Sequence, residues 1–171
     1  MKACFFLGHC KVNYRQYKEQ IKVAIFNMIE MDGVNQFYTT GLKGFDEVCA
    51  ELVDEVRKEQ GFEIRNTLVC LHRRDMQKEL PKHYDDCVYL LKKRVPHRRL
   101  LAKVRREIIK RSEVIYTGLL FPYLDGLAEA LRYAKTQKKS FDMLNWSDTD
   151  EELERSKRAA YFKLFGKEME S

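Results

Sequence analysis

Apolar and polar positions along the chain alternate between two periods. Residues 3–7 are wholly apolar and closed by Gly8, as expected of a strand buried on both faces. Tyr14, Tyr17, Ile21, Ala24, Ile25 and Met28 then recur at spacings of three and four, the mark of one helix face. Residues 34–40, rich in β-branched and aromatic side chains, read as a second strand. Phe45, Val48, Cys49, Leu52, Val53 and Val56 give a second amphipathic helix. Strands are expected at 64–71, 86–91 and 113–120, with a short edge strand at 141–144. Pro96 precedes a basic helix whose apolar stripe is Leu100, Leu101, Val104, Ile108 and Ile109. After Pro122, Leu124, Leu127, Ala128, Leu131 and Ala134 predict a further helix.

Strand–helix alternation of this kind implies right-handed crossovers and a parallel sheet covered by helices on both faces. The expected class is α/β, a three-layer sandwich with a mostly parallel sheet of five or six strands and a C-terminal helix. Ligands of such folds bind outside the carboxyl ends of the strands. Glycines gather at that edge: Gly8 after the first strand, Gly41 and Gly44 after the second, and Gly126 after the fifth. The organisation reads as one domain over residues 1–146 and a helical tail over 147–171. In the tail, Ser147 is a plausible cap for an acidic first turn. Tyr161, Phe162, Leu164 and Phe165 near its end are too apolar to be left in water. They predict docking on the domain or a homodimer contact.

Composition narrows the classes. The 171 residues hold 8 Gly and 3 Pro with 44% hydrophobic side chains, which excludes collagen-like, low-complexity and wholly disordered chains. No apolar stretch approaches the roughly 20 residues that a membrane span needs, and the apolar start lacks a signal-peptide pattern. Five scattered cysteines without a C-x-x-C suggest neither a disulfide framework nor a zinc site, so a reducing cytoplasm is expected. No His stands at a metal-ligand spacing, and neither a metal nor a cofactor is expected.

The segment Thr39-Thr40-Gly41-Leu42-Lys43-Gly44-Phe45-Asp46 stands at a strand-to-helix junction. Its glycines permit a tight turn and bare N–H groups, and the following helix offers its positive end to an anion. Thr40 could hydrogen-bond a phosphate and Lys43 neutralise it. The bland alternative is a turn in which Gly44 serves packing and Asp46 complements the helix dipole. The pattern is neither G-x-G-x-x-G nor a Walker A loop.

The order Phe6-Leu7-Gly8-His9, then Thr40-Gly41-Leu42-Lys43-Gly44-Phe45-Asp46, then Ser112-Glu113-Val114-Ile115, then Gly126 to Ala134, resembles the SLOG superfamily of Rossmann-like domains. That group includes the DNA-processing protein A domain and the cytokinin-activating phosphoribohydrolases. The resemblance spans residues 4–139 and is nearest the YpsA-like branch, a family of unknown function. It implies a Rossmann-like fold and a pocket for a nucleotide or nucleotide-derived ligand. The chain departs from the pattern at Cys10, where an Arg is usual, and at Asp125-Gly126-Leu127, where a G-G-T triplet is usual. Arg105-Arg106 replaces an Arg-Asn pair, and Glu129 sits one residue too close to Gly126 for the phosphoribohydrolase motif. A carboxylate at Asp125 repels phosphate.

Carried onto this chain, the resemblance and the spacing nominate Gly8, His9, Thr40, Gly41, Lys43, Gly44, Asp46, Arg73, Arg106 and Gly126 as ligand contacts. Asp46 and Glu129 are the weak catalytic candidates, should the protein cleave an N-glycosidic bond. Charge supplies a third reading. Residues 92–111 hold ten Lys or Arg and one acid, Glu107, so the +6 net charge of the chain resides there. This helix could track a nucleic-acid backbone, present a solvated face, or aim Arg105 or Arg106 into the crevice. His83 and His97 fall in expected loop or helix-start regions and read as solvated. The replaced residues rank ligand binding first, N-glycosidic chemistry second and nucleic acid third.

Overall fold

The computed structural model describes residues 1–121, 124, 126–144 and 150–168. Pro122, Asp125 and Ser147, which entered the sequence reading, lie outside the described residues. The elements are β1 (Lys2–Gly8), α1 (Lys18–Glu30), β2 (Val34–Thr39), α2 (Phe45–Gln60), β3 (Arg65–Val69), β4 (Asp86–Val88), α3 (His97–Arg111), β5 (Val114–Gly118), α4 (Leu127–Thr136), β6 (Ser140–Met143) and α5 (Asp150–Phe165). All six strands pair in parallel, in the order β4-β3-β2-β1-β5-β6. The chain first winds outward from β1 to β4, then returns through α3 to the other side of β1. The direction of winding therefore reverses between β1 and β5.

β1 is central and buried along nearly its whole length. Its side chains alternate between the two faces of the sheet, as the period of two demands. Cys4 and Phe6 join the core under α1 and α2, whereas Phe5 and Leu7 join the core under α3 and α4. Phe6 and Phe37 stack with ring centroids 5.6 Å apart, knitting β1 to β2. Helices α2 and α3 bury most of the stripe that their spacing predicts. In α2 these are Phe45, Val48, Cys49, Leu52, Val53 and Val56; in α3, Leu100, Val104, Ile108 and Ile109. Gly61, left-handed at φ +70°, ends α2 with its N–H on the Arg57 carbonyl.

Three elements differ from the periodic reading, each for a tertiary reason. The first helix begins at Lys18, after a short 3₁₀ turn at Arg15–Tyr17, and Tyr14 precedes both. Tyr14 is held in the sheet edge instead, as described below. The fourth strand stops at Val88, because its only partner, β3, ends at Val69 in register with it. A second 3₁₀ turn, Arg73–Gln77, lies within the β3–β4 connection, capped by a reciprocal pair of hydrogen bonds between His72 and Asp75. Of the tail, Tyr161 packs against the core and sets its ring edge-on to Phe121, centroids 6.0 Å apart. Among the described residues no helix is long and apolar enough to cross a membrane.

Candidate functional site

The crevice between β1 and β5 is where the topology directs a ligand. Its floor is filled by the chain's own side chains. Gly8 and Gly118 stand opposite each other in register, and their missing side chains leave a trough across the two strand ends. The Phe45 ring occupies it: a Cβ on Gly8 would lie 2.5 Å from Phe45 Cδ1, and one on Gly118 2.7 Å from Phe45 Cε2. Tyr14 lies beside Phe45, centroids 4.7 Å apart. Its hydroxyl accepts from the His9 N–H at 2.9 Å and donates to the Gly118 carbonyl, tying the two strand ends together. His9 is 1% exposed, and its Nε2 accepts from the N–H groups of Leu120 and Phe121 at 3.0 and 3.1 Å. The imidazole thus does for the β5 loop what a bound acceptor would otherwise do.

The loop after β2 is built by the same economy of space. Gly44 has φ +81° and ψ −120°, a conformation that side chains resist. A Cβ there would meet the carbonyl oxygens of His9 and Cys10, the latter at 2.6 Å. Phe45 N–H donates to that His9 carbonyl at 3.1 Å. Asp46, 5% exposed, turns back over the loop. Its Oδ2 accepts the Thr40 N–H at 2.8 Å and the Thr40 hydroxyl. Burial raises the Asp46 pKa above the ordinary carboxylate value, against the lowering effect of Thr40 and of the Arg105 charge.

Beside this clamp, toward β3, a cavity of about 630 Å³ opens at the carboxyl edge of the sheet. One wall is the loop Thr40, Gly41, Leu42 and Lys43; another is the first two turns of α2, with Glu47, Ala50 and Glu51. Leu68 and Leu71 contribute apolar surface, and His72, Asp75 and the run 81–84 close the far side. Gly41 is left-handed at φ +71°, and a Cβ on it would strike the Leu68 side chain at 2.5 Å. The N–H groups of Gly41, Leu42 and Lys43 donate to no described residue. They stand at the positive end of α2 between two left-handed glycines, an arrangement that forms anion-binding concavities. Tyr84 shares a 2.7 Å hydrogen bond with Thr39, and burial pushes its phenol pKa up.

Charges on the wall are partly spent. Glu51 is held by both ends of the Arg15 guanidinium, at 2.9 and 3.1 Å, and this keeps its pKa below the usual range. Asp75 pairs with Lys78 at 2.7 Å. Glu47, Lys43 and Lys82 also line the cavity, and the Glu47 charge adds to the hold on Arg15. Burial pushes the Cys70 thiol up to about 11, so it remains a neutral thiol at pH 7.

The sequence candidates therefore separate into groups. Thr40, Gly41 and Lys43 line the cavity. Gly8, His9 and Gly44 lie in the filled crevice, and Asp46 closes the loop from behind. Arg73 is exposed at the start of its 3₁₀ turn and is not among the lining residues. Arg106 points to the surface, 2.9 Å from Glu129 and over the Tyr133 ring at 5.1 Å. Its neighbour Arg105 is the one drawn inside, 4% exposed, with Nη1 3.5 Å from where a Gly126 Cβ would stand. Gly126, left-handed at φ +69°, opens α4 on the opposite side of the crevice from the cavity. Glu129, half-exposed on α4, faces Arg106 rather than Asp46, so the two carboxylates form no catalytic pair. Reading the sequence passes over Glu51, His83 and Tyr84 as site residues. Only the i, i+4 placement of Glu47 and Glu51 on one face of α2 hinted at them.

The titration signs differ within this site. The raised pKa of Asp46 means that its ionised form costs stability, a cost absent below its unfolded value and felt as pH rises through the folded one. Glu51 and Asp54, both lowered, contribute stability above their unfolded values and lose it as pH falls through the folded ones. Asparagine at 46 keeps one oxygen for both Thr40 donors and removes the charge. Urea unfolding of Asp46→Asn is therefore expected to shift in the variant's favour, relative to wild type, between pH 4 and pH 7. A difference that is constant or moves the other way contradicts a buried, raised carboxyl.

No protein-family model matches the chain, and no curated protein matches it in sequence. Solved structures share its fold. The molybdenum cofactor carrier protein of Chlamydomonas reinhardtii aligns with a TM-score of 0.54 and 14% identity, over 92% of this chain and 83% of the other. A second structure of that carrier gives 0.53 and 14%, over 96% and 85%. The structural-genomics protein TM1055 gives 0.52 and 13%, over 82% and 72%. These likenesses show a Rossmann-like fold.

Proposed function

We propose that the protein binds a phosphorylated, nucleotide-derived ligand in the cavity between the 40–43 loop, α2 and the β3–β4 connection. One observation carries this reading: the loop whose Gly41, Leu42 and Lys43 N–H groups donate to no described residue lines, at a helix N-terminus, a cavity large enough for a nucleotide. The phosphate would rest on Gly41, Leu42 and Lys43, with Lys43 and Lys82 as countercharges. The ring system would lie along Leu68, Leu71 and Tyr84. The resemblance of the glycine motifs to SLOG-type domains, the YpsA-like branch among them, supports the same class of ligand. Likeness to a carrier of the molybdenum cofactor supports binding without turnover and adds that cofactor to the compounds worth testing.

Binding outranks N-glycosidic chemistry because Asp46 is spent on Thr40 and Glu129 on Arg106. The nucleic-acid reading draws no support from the geometry of α3. There Arg106 pairs with Glu129, while Lys110 and Arg111 both pair with Glu107. A cytoplasmic, monomeric or dimeric setting is compatible with this function and is not needed for it.

The test is thermal unfolding against nucleoside mono- and diphosphates, ADP-ribose, NAD, cyclic nucleotides and the molybdenum cofactor. A ligand at 100 times its Kd adds about 2.7 kcal/mol, which raises Tm by roughly 5–10 °C in a domain of this size. Lys43→Glu is expected to abolish that shift, and Glu47→Gln to tighten binding two- to five-fold by removing a carboxylate from the cavity wall. A full shift that survives Lys43→Glu would place the ligand elsewhere.

A further inference from the structure

The tail divides its aromatic side chains between two surroundings. Tyr161 turns inward, against Phe121 and the core. Phe162 and Phe165 stay 57% and 45% exposed. One residue of helix is a rotation of about 100°, so a helix that seats Tyr161 on the domain carries Phe162 away from it. Arg158 precedes the two phenylalanines by four and seven residues, and the three therefore share one face of α5. Arg158 is exposed and has no ion pair with a described residue. This face is apolar, with a cation toward one end.

Elsewhere on the surface a groove of about 510 Å³ runs between α1 and β6. Gln20, Val23, Ala24 and Asn27, at the spacing of one helix face, form one wall. Asp142 and Met143 form the other, and Tyr116 of β5 completes the lining. Val23 and Met143 are both more than half exposed. The topology leaves this face open. β6 is the edge of the sheet, with all four of its residues exposed, and α1 is tied to its other side, where Lys22 pairs with Glu55 and Glu59 of α2. Glu19 and Asp142 stand at the groove, exposed, and neither has an ion pair with a described residue.

The two features complement each other: an apolar helix face with a cation, and an apolar groove with two carboxylates. They also lie close together on one chain, since Leu144, next after Met143, is buried in the core that Phe121 and Tyr161 share. Within that chain the helix face does not fill the groove, because Val23 and Met143 remain exposed. A surface and its complement carried side by side let two copies pair about a two-fold axis, each contact made twice and the assembly closed. We propose that the protein forms such a dimer, the Arg158–Phe162–Phe165 face of each α5 seated in the α1–β6 groove of the other copy, with Arg158 toward Glu19 and Asp142. The half-exposed rings and the single groove place the buried area at the low end for specific contacts, so association is weak, with a Kd on the order of 10 μM. No residue that lines the ligand cavity takes part, and the dimer stands or falls separately from the binding reading.

Sedimentation equilibrium of the full chain, from about 1 to about 500 μM, reads the association. The mass is expected to rise from that of one chain toward twice that value. Phe162→Ser and Val23→Glu, both at exposed positions, are each expected to raise Kd about ten-fold or more, while Tm stays within about 2 °C of wild type. A charge exchange tests the seating itself. Arg158→Glu in one chain, and Glu19→Arg with Asp142→Arg in another, each set like charges against one another in both contacts and are expected to weaken self-association about five-fold or more. Mixed one to one, the two chains bring opposite charges together in both contacts, and the mixture is expected to associate as wild type does. A mass of one chain at every concentration overturns the proposal and leaves the groove to a different partner. A dimer indifferent to Phe162→Ser, or a mixture that associates no better than its components, overturns it as well.

Discussion

Alanine at Gly44 is expected to destabilise the fold by about 3–5 kcal/mol, among the largest effects of a single methyl group. Two costs combine. The backbone at φ +81° and ψ −120° lies outside the regions open to a residue with a Cβ, and the new carbon would press on the carbonyl oxygens of His9 and Cys10. Those oxygens belong to the backbone of the neighbouring loop, so neither can swing away. Phe45 N–H, bonded to the same His9 carbonyl, would be pushed off its acceptor. In thermal unfolding the loss corresponds to roughly 10 °C in Tm. Gly61→Ala is the control, because Gly61 has a similar positive φ with open space around it. It should cost only about 1 kcal/mol. Equal losses at the two positions would mean that the loops do not touch at Gly44.

Leucine in place of His9 is expected to cost about 3 kcal/mol. The side chain that fills the β1–β5 crevice would then still be apolar and of similar bulk, but the N–H groups of Leu120 and Phe121 would lose their shared acceptor. Each buried, unsatisfied donor costs about 1–3 kcal/mol. His9→Gln, whose amide oxygen can accept, should recover part of the loss. The amide proton shifts of Leu120 and Phe121 report the mechanism directly, moving in the Leu variant and less in the Gln variant. A Leu variant as stable as wild type would show that His9 does not satisfy these groups, and would reopen the crevice as a ligand site.

Both effects arise in residues that the glycine motifs nominate as ligand contacts. The motifs were legible as close-approach positions, since only glycine tolerates what Gly8 and Gly44 must do. What approaches them was not legible. In this chain it is the Phe45 ring at Gly8 and the His9–Cys10 backbone at Gly44. Arg105 and Arg106 show the same limit. Their adjacency in the basic helix leaves open which one turns inward, because one residue of helix is a rotation of about 100°. Packing against Leu100, Val104 and Ile108 puts Arg105 on the buried flank and Arg106 against Glu129.

A mostly parallel sheet of five or six strands, the helices between them, and the faces that helices α2 and α3 bury were determined by the sequence alone; the sixth strand's place and its parallel pairing came from the structure. Periods of two and 3.6 are local properties that each segment carries wherever it is placed. The terminal ends of elements were less determined, as Tyr14 and the shortened β4 show, since a strand stops where its neighbour does. The cavity, with Glu51 and His83 3.9 Å apart on its wall, was decided only by the tertiary structure. Those two residues come from segments about 30 positions apart, and no local period relates them. They meet because β3 lies beside β2, because α2 covers that pair, and because buried Asn66 must place its amide hydrogens on the Ala50 and His83 carbonyls.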